Sequence, residues 1–152
     1  MTNLWNPIGR ASFWLGWPAL WFYLHKTYRT RVIIAYQDKI VVVKAWLGDG
    51  QWKLPGGGCH PNEKTSVAAS RELREELGLE IGAAELESLG KFHSHQHGFR
   101  YHYELFVVRL SSEPVLHVVS SENTHVQLMR PDELRQLSPR SDLATALARW
   151  SG

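Results

Sequence analysis

The chain has 152 residues, a formal net charge of +2 and one cysteine. This length fits a single domain with a hydrophobic core of ordinary size. A net charge this small gives no electrostatic reason to expect nucleic-acid binding. A single cysteine excludes a disulfide framework, so we expect a cytoplasmic protein in which Cys59 is an incidental thiol.

The segment 11–24 differs from the rest of the chain because nearly all its side chains are apolar and three are tryptophans. A membrane-spanning helix needs about 20 apolar residues, so this run is too short to cross a bilayer, and no signal-peptide cleavage site follows it. Two interpretations remain open. The segment packs against the domain or against the partner subunit of a homodimer, or it lies peripherally on a membrane surface with Lys26, Arg29 and Arg31 attracted to anionic lipid.

Two runs rich in β-branched residues, 31–36 and 40–45, predict a hairpin with its turn at 37–39. The other predicted elements, in chain order, are a short strand at 51–54, strands at 85–95, 99–110 and 117–129, and helices that begin at Pro131 and Ser141. Strands that precede, separate and follow helices form a mixed sheet between helical layers, which is an α/β fold.

The segment 65–77 predicts a helix with one acidic face. Glu72, Glu75 and Glu76 are spaced i, i+3, i+4, which places their Cβ atoms about 5–6 Å apart on one side of a helix. Like charges at this spacing cost roughly a few tenths of a kcal/mol per pair, and a divalent cation would reverse the sign of that cost. The next residue, Gly78, stands where a left-handed helix C-terminus favours glycine.

Three consecutive glycines, Gly56, Gly57 and Gly58, precede this helix. Such glycines belong where the backbone turns tightly or approaches a ligand closely. An acidic helix face on its own is more often simply solvated. The glycine loop directly ahead of the helix instead favours a loop–helix metal site.

Residues 57–79 match the pattern G-x5-E-x7-R-E-U-x-E-E-x-G-U, where U is a bulky aliphatic residue. This pattern is the Nudix box, and the chain resembles the Nudix hydrolase superfamily. The resemblance implies an α/β/α sandwich with a mixed β-sheet over residues 30–152. The aromatic-rich N-terminal segment, residues 1–29, lies outside the resemblance.

The resemblance also implies an activity, the hydrolysis of a phosphoanhydride bond in a nucleoside di- or triphosphate or in a nucleoside diphosphate linked to another group, with Mg²⁺ or Mn²⁺. It assigns the metal-binding carboxylates to Glu72, Glu75 and Glu76, and an additional metal ligand to the Gly56 carbonyl. Glu75 and Glu76 are then also catalytic. The residues that support the site without touching substrate are Gly57, Glu63 and Arg71.

The general base is left open by the box. Some relatives use a box glutamate and others use a glutamate on a later loop. Glu122, which precedes an apolar run, is the first later candidate, and Glu104 is the second. Four aromatic residues are candidates for base stacking or for the core: Tyr36, Trp46, Trp52 and Phe106.

Other interpretations involve different chemistry. His93, His95 and His97 alternate along a predicted strand and therefore share a face, either as a metal or phosphate site with His102 or as a polar strand face near a turn. A non-catalytic Nudix-like module that senses a nucleotide, or a membrane-associated binding module, is the alternative to a hydrolase. Signature motifs of several Nudix subclasses are absent after the box.

Overall fold

The structure is a computed structural model that describes residues 28–45, 50–96, 99–119, 123–137 and 141–150. The segment 11–24 lies outside these ranges, so both interpretations of it stay predictions. None of the helices in the described ranges has the length and apolar character that crossing a bilayer requires.

Six strands and three α-helices make up the described fold. The strands are β1 (Tyr28–Tyr36), β2 (Lys39–Ala45), β3 (Trp52–Lys53), β4 (Glu87–Gln96), β5 (Phe99–Arg109) and β6 (Asn123–Met129). The helices are α1 (Thr65–Leu77), α2 (Pro131–Gln136) and α3 (Ser141–Arg149). The predicted hairpin is confirmed, and its turn residue Gln37 takes φ 52°. The predicted bounds of α1 are confirmed at both ends.

The sheet is mixed. β1 pairs in parallel with β5 from Tyr28 opposite His102 to Ala35 opposite Arg109, and β4 pairs antiparallel with β5. β2 pairs with β1 only beside the turn, at Ala35–Ile40 and Tyr36–Lys39, and then pairs with β6 and β3. The second edge of β1 is therefore left open by β2 along most of its length.

Helices cover both faces of this sheet. On one face, Val32 and Ile34 pack with Ala69, Leu73 and Leu77 of α1. On the other face, alternate residues of β1 and β5 pack with side chains of α2 and α3; this core includes Ile33, Ala35, Tyr103, Leu105, Leu134, Leu143 and Leu147. Because neighbouring strand residues point to opposite faces, one strand supplies both cores. The predicted α/β/α sandwich is confirmed.

Three predicted strand starts are wrong by two residues or more. β1 begins at Tyr28 rather than at residue 31. β6 begins at Asn123 rather than at residue 117, because 113–119 has no regular structure and the Val119 N–H donates to the Glu76 carbonyl at the end of α1 (3.2 Å). β4 begins at Glu87 because Ala83–Glu85 forms a 3₁₀ turn, in which the Gly82 N–H donates to Glu85 Oε1 (2.8 Å).

Candidate active site

The glycine loop is hydrogen-bonded to the edge of β1 that β2 leaves open. The Thr30 N–H donates to the Gly57 carbonyl (2.8 Å), and the Val32 N–H donates to the Pro55 carbonyl (3.0 Å). The Cys59 N–H donates in return to the Tyr28 carbonyl (2.9 Å). The loop is therefore held along its length by the sheet, and α1 starts from a fixed point.

Two of the glycines are required by close approaches. Gly56 has φ 124°, and a Cβ there would lie 2.5 Å from the Thr30 carbonyl oxygen. A Cβ on Gly57 would lie 2.5 Å from both carboxylate oxygens of Glu72. A side chain at either position would therefore displace backbone or an acidic group of α1.

The orientation of α1 follows from its apolar residues. Ala69, Leu73 and Leu77 are fully buried against the sheet, so the acidic face turns towards the loop and solvent. Gly78 ends the helix with φ 68°, and its N–H donates to the Arg74 carbonyl (3.0 Å). This left-handed end confirms the predicted role of Gly78.

Arg71 joins the loop to the acidic face. Its Nε and Nη2 donate to the two oxygens of Glu63 (3.0 and 3.1 Å), and Nη2 also donates to the Gly58 carbonyl (2.9 Å). Its Nη1 donates to Glu72 (2.9 Å) and Glu75 (3.1 Å). One guanidinium therefore orients three carboxylates and the backbone of the glycine loop.

Glu76 is the most buried of the three helix carboxylates, with 6% of the residue exposed. Its Oε2 accepts a hydrogen bond from the Gly56 N–H (2.9 Å). The Gly56 carbonyl accepts in turn from Nη1 of Arg31 (2.7 Å), whose Nε forms a buried ion pair with Asp142 of α3 (2.9 Å). A continuous chain of polar contacts thus crosses the sheet from α1 to α3.

The surroundings of Glu63 and Glu72 shift the pKa values of these two carboxylates in opposite directions. Hydrogen bonds from Arg71 and from the His60 N–H lower the pKa of Glu63 to about 2. Burial raises the pKa of Glu72, and the nearby charges of Glu76 and Glu75 act in the same direction. Glu63 is thus a stable anion, whereas the charge on Glu72 is unfavourable without a further cation.

The donor chemistry of the acidic face fits Mg²⁺ or Mn²⁺, because all of its side-chain donors are carboxylate oxygens. In the part of the chain that the structure describes, no three His, Cys, Asp or Glu side chains converge closely enough to hold an ion. The Arg71 contacts hold Glu72 and Glu75, and the Gly56 N–H holds Glu76. Convergence on a cation would therefore require side-chain rotation within the face.

The two glutamates that follow the Nudix box and are candidates for the general base are Glu122 and Glu104. Glu122 lies outside the described residues. Glu104 lies on the sheet face that α1 covers, and its two oxygens accept hydrogen bonds from the Thr65 hydroxyl (2.7 Å) and the Ser88 hydroxyl (2.6 Å). This carboxylate anchors the first residue of α1 to two strands.

The remaining sequence candidates are spread over the fold. The rings of His93 and His102 lie 4.3 Å apart, and Tyr28 stacks on His102 at 6.1 Å. Nothing is described of the side chains of His95 and His97. Burial raises the pKa of the Cys59 thiol, which keeps it protonated at neutral pH.

A cavity of about 230 Å³ lies between β2–β3 and the C-terminal helices. Trp52 and Lys44 line it, with Lys44 Nζ 5.6 Å from the centre of the Trp52 ring. Phe106, in contrast, is buried in the α1-side core, and Trp46 lies outside the described residues. Among the aromatic candidates for base stacking, Trp52 lines this cavity.

The buried Arg31–Asp142 pair and the Glu104 hydroxyl contacts were not predicted from the sequence. Arg31 directly precedes the apolar run 32–35 and Asp142 lies in the first turn of a helix, and neither position marks a buried charge in the sequence. Their pairing joins positions 111 residues apart, and local periodicity carries no information about such a distance.

In the membrane interpretation of segment 11–24, Arg29 and Arg31 are attracted to anionic lipid, and for Arg31 that part of the interpretation is wrong. It is 4% exposed and is committed to Asp142 and to the glycine loop. Arg29 is a residue of β1, with its guanidinium over the Tyr101 ring at 5.5 Å.

Comparisons with known proteins agree with this architecture. The RNA pyrophosphohydrolase of Halorhodospira halophila is 41% identical over 59 residues, which are 39% of this chain and 32% of that protein. The putative ADP-ribose pyrophosphatase YjhB of Bacillus subtilis is 27% identical over 101 residues, 66% of this chain and 49% of that protein. The matched segments therefore span half or less of the length of these relatives.

Two solved structures share the fold. An Ap4A hydrolase from C. elegans superposes with a TM-score of 0.69 at 16% identity, over 82% of this chain and 95% of that chain. A bifunctional NMN adenylyltransferase/ADP ribose pyrophosphatase from Francisella tularensis, solved with AMP and a manganese ion, gives 0.68 at 17% identity, over 93% and 46%. The Nudix domain model matches residues 26–150. The chain belongs to the Nudix family.

Proposed function

We propose that this protein is a divalent-metal-dependent hydrolase that cleaves a phosphoanhydride bond in a nucleoside di- or triphosphate or in a nucleoside diphosphate linked to another group. The observation that carries the proposal is the contact between the acidic face of α1 and the glycine loop. Glu72 lies against Gly57, Glu76 accepts from the Gly56 N–H, and Arg71 orients Glu75.

In this proposal Glu72, Glu75 and Glu76, with the Gly56 carbonyl, hold Mg²⁺ or Mn²⁺. The bound cation supplies neutralisation of the diphosphate charge and a lower pKa for the attacking water. The Gly56 carbonyl already accepts from Arg31, but a carbonyl oxygen has a second lone pair to offer. Gly57, Glu63 and Arg71 support the arrangement without contacting substrate.

The chemical step is attack by water at phosphorus. The water oxygen bonds to one phosphorus, the bridging phosphorus–oxygen bond breaks, and the proton released by water passes to a carboxylate. Glu75 or Glu76 takes that proton if the base belongs to α1, and Glu122 takes it if the base belongs to the later loop. The nucleobase occupies the cavity beside Trp52, where an aromatic ring and an apolar wall suit a planar base.

The test is a hydrolysis panel of nucleoside triphosphates, dinucleoside polyphosphates and nucleoside diphosphate sugars with Mg²⁺, run in ¹⁸O-water. We expect release of phosphate, pyrophosphate or a nucleoside monophosphate, with one heavy oxygen on a phosphate-bearing product. EDTA abolishes the activity, and Mg²⁺ or Mn²⁺ restores it. Label in a sugar or alcohol product, or no cleavage in the whole panel, contradicts the proposal.

One observation favours the alternative of a nucleotide-binding module without catalysis. The described carboxylates are already engaged by Arg71 and by the Gly56 N–H, so a cation has to compete for them. Nucleotide binding that is insensitive to EDTA and occurs without turnover identifies this alternative. The hydrolase proposal requires instead that Mg²⁺ raise both affinity and turnover.

For the N-terminal segment we propose a contact surface in a cytoplasmic protein, either with a second copy of the chain or with a membrane. The single cysteine favours that compartment. Residues 30–152, together with Tyr28 and Arg29 of β1, then act as the hydrolase domain, and the residues before them act as its accessory segment.

A further inference from the structure

We propose that Arg29 binds a substrate phosphate on the sheet face opposite α1, and that it makes the site favour substrates with three linked phosphates over those with two. The choice of a phosphate as ligand rests on the proposed function. The evidence for an anion at Arg29 comes from the position, the contacts and the charge balance of this side chain.

Arg29 lies beside the glycine loop but on the other side of it from the helix carboxylates. Its backbone forms an antiparallel bridge with Gly58. Its guanidinium lies 5.5 Å from the centre of the Tyr101 ring, and Tyr101 belongs to the core that faces α2 and α3. An anion that extends past the loop from the face of Glu72 would therefore meet Arg29.

The guanidinium of Arg29 has no anionic partner among the described residues. Its Nε is shielded from solvent and donates to no acceptor there. A shielded donor without a partner destabilises the folded state, and more so when the group is charged, so a native arginine in this state needs an explanation. An anionic ligand supplies the missing acceptor.

The local charge balance also favours an anion. Arg29 and Arg31 act on each other as like charges, and the carboxylate of Asp142 is committed to Arg31 (2.9 Å). Burial and the neighbouring Arg31 lower the pKa of Arg29, whereas Glu72 and Asp142 favour its charge. Among the residues that the structure describes, Arg29 is thus left without an ion pair.

The same positions explain the preference for a longer phosphate chain. The cations proposed at Glu72, Glu75 and Glu76 neutralise the two phosphates that flank the scissile bond. A third phosphate brings additional negative charge, and a guanidinium binds phosphate oxygens with paired donors. Arg29, which has no anionic partner in the described part of the chain, lies next to the loop and can receive it.

The experiment is calorimetric binding of inorganic tripolyphosphate and pyrophosphate to the full chain with saturating Mg²⁺, which neutralises the acidic face. The variants are Arg29→Met, Arg29→Lys and the control Arg109→Met. Arg109 is a matched control because its guanidinium also lies 5.5 Å from an aromatic ring, that of Trp150, at the other end of the strand pair. Each variant is also unfolded thermally without ligand.

We expect Arg29→Met to weaken tripolyphosphate binding at least tenfold and pyrophosphate binding less, with Arg29→Lys intermediate. Arg109→Met should stay within twofold of the parent chain. The unfolding midpoint of Arg29→Met should not fall, because the variant removes a shielded charge that has no anionic partner among the described residues. No tripolyphosphate binding by the parent chain, or equal binding by Arg29→Met, overturns the inference.

Turnover separates this inference from the proposed function. If the protein hydrolyses nucleotides, Arg29→Met should raise KM for a nucleoside triphosphate more than for a nucleoside diphosphate sugar, with little change in kcat. A failure of all hydrolysis with Arg29-dependent tripolyphosphate binding intact refutes the hydrolase and leaves the anion site standing. Hydrolysis with an unchanged KM in Arg29→Met supports the hydrolase and refutes the anion site.

Discussion

Arg71 and Glu63 face each other in a two-pronged ion pair, with Nε 3.0 Å from Oε1 and Nη2 3.1 Å from Oε2. Only 16% and 13% of the two side chains is exposed. Paired contacts of this kind fix orientation as well as distance. Because Glu63 belongs to the loop and Arg71 to α1, the pair sets the position of the acidic face relative to the glycine loop.

Replacing Arg71 with lysine should therefore damage both stability and activity. A lysine ammonium cannot reproduce the planar fork, so contacts to Glu63, Glu72, Glu75 and the Gly58 carbonyl cannot all be kept. We expect the free energy of unfolding to fall by about 1–3 kcal/mol. A double-mutant cycle with Glu63→Gln should give a coupling energy of about 0.5–3 kcal/mol, and strict additivity would contradict the pairing.

The pH dependence of stability should carry the signature of Glu63. Its pKa falls from 4.5 to about 2 on folding, so its stabilisation is fully present above about pH 4.5 and is lost as the pH falls towards 2. The shift corresponds to at most about 3 kcal/mol. Denaturant unfolding from pH 6 to pH 2 should show a shallower acid limb in Glu63→Gln than in the parent chain. If stability falls equally steeply with acid in both proteins, Glu63 is not the source of this pH dependence.

Loss of a helix carboxylate should abolish chemistry and spare the fold. Glu75→Gln and Glu76→Gln should each reduce turnover with saturating Mg²⁺ by at least about a hundredfold, because each removes charge at the reacting centre. Circular dichroism should be unchanged. Glu80→Gln is the control, since Glu80 is an exposed glutamate just beyond α1. Parent-like turnover in either variant would refute the metal assignment.

Glu72 should show the opposite stability effect from Glu63. Its pKa is raised on folding, so ionisation of Glu72 destabilises the folded state as the pH rises above the unfolded value. Glu72→Gln should unfold at a midpoint no lower than that of the parent chain in EDTA at pH 7. Addition of Mg²⁺ should raise the midpoint of the parent chain but not that of the variant. A lower unfolding midpoint for Glu72→Gln than for the parent chain in EDTA would contradict the destabilising effect of the Glu72 charge.

The N-terminal segment should be removable if the cut respects β1. Tyr28 opens that strand, and its carbonyl accepts from the Cys59 N–H (2.9 Å), so we expect a deletion of residues 1–26 to leave a folded domain. Liposome flotation and mass measurement on the full chain separate the two interpretations. Flotation that is lost when Trp14, Trp17 and Trp21 are replaced indicates a membrane surface, whereas a deletion that changes only the oligomer mass indicates protein packing.

Much of this fold could be predicted because its signals are local. The periodicity of 65–77 and the glycine at 78 define α1 to the residue, and the β-branched runs define the hairpin. The start of β6 could not be predicted in the same way. Residues 117–119 have strand-forming side chains, but the Val119 N–H is bonded to the end of α1 and the segment finds no partner strand.

The site was predictable where one motif carries it and not where distant segments meet. The spacing of Glu72, Glu75 and Glu76 is visible in the sequence, as is the loop that precedes them. The ion pair of Arg31 with Asp142 requires that the first turn of α3 lies beside β1, and tertiary packing decides that contact. The membrane interpretation includes Arg29, because the contact of its guanidinium with the Tyr101 ring cannot be seen in a local window.

The bonding of the glycine loop to β1 also has a consequence for its dynamics. The amides of Thr30, Val32 and Cys59 are donors in one shared ladder, although two belong to a strand and one to a loop. Their hydrogen exchange should therefore be governed by the same opening event as the central sheet. The backbone of this loop would then stay fixed when a nucleotide binds. The side chains of the acidic face of α1 would rotate instead.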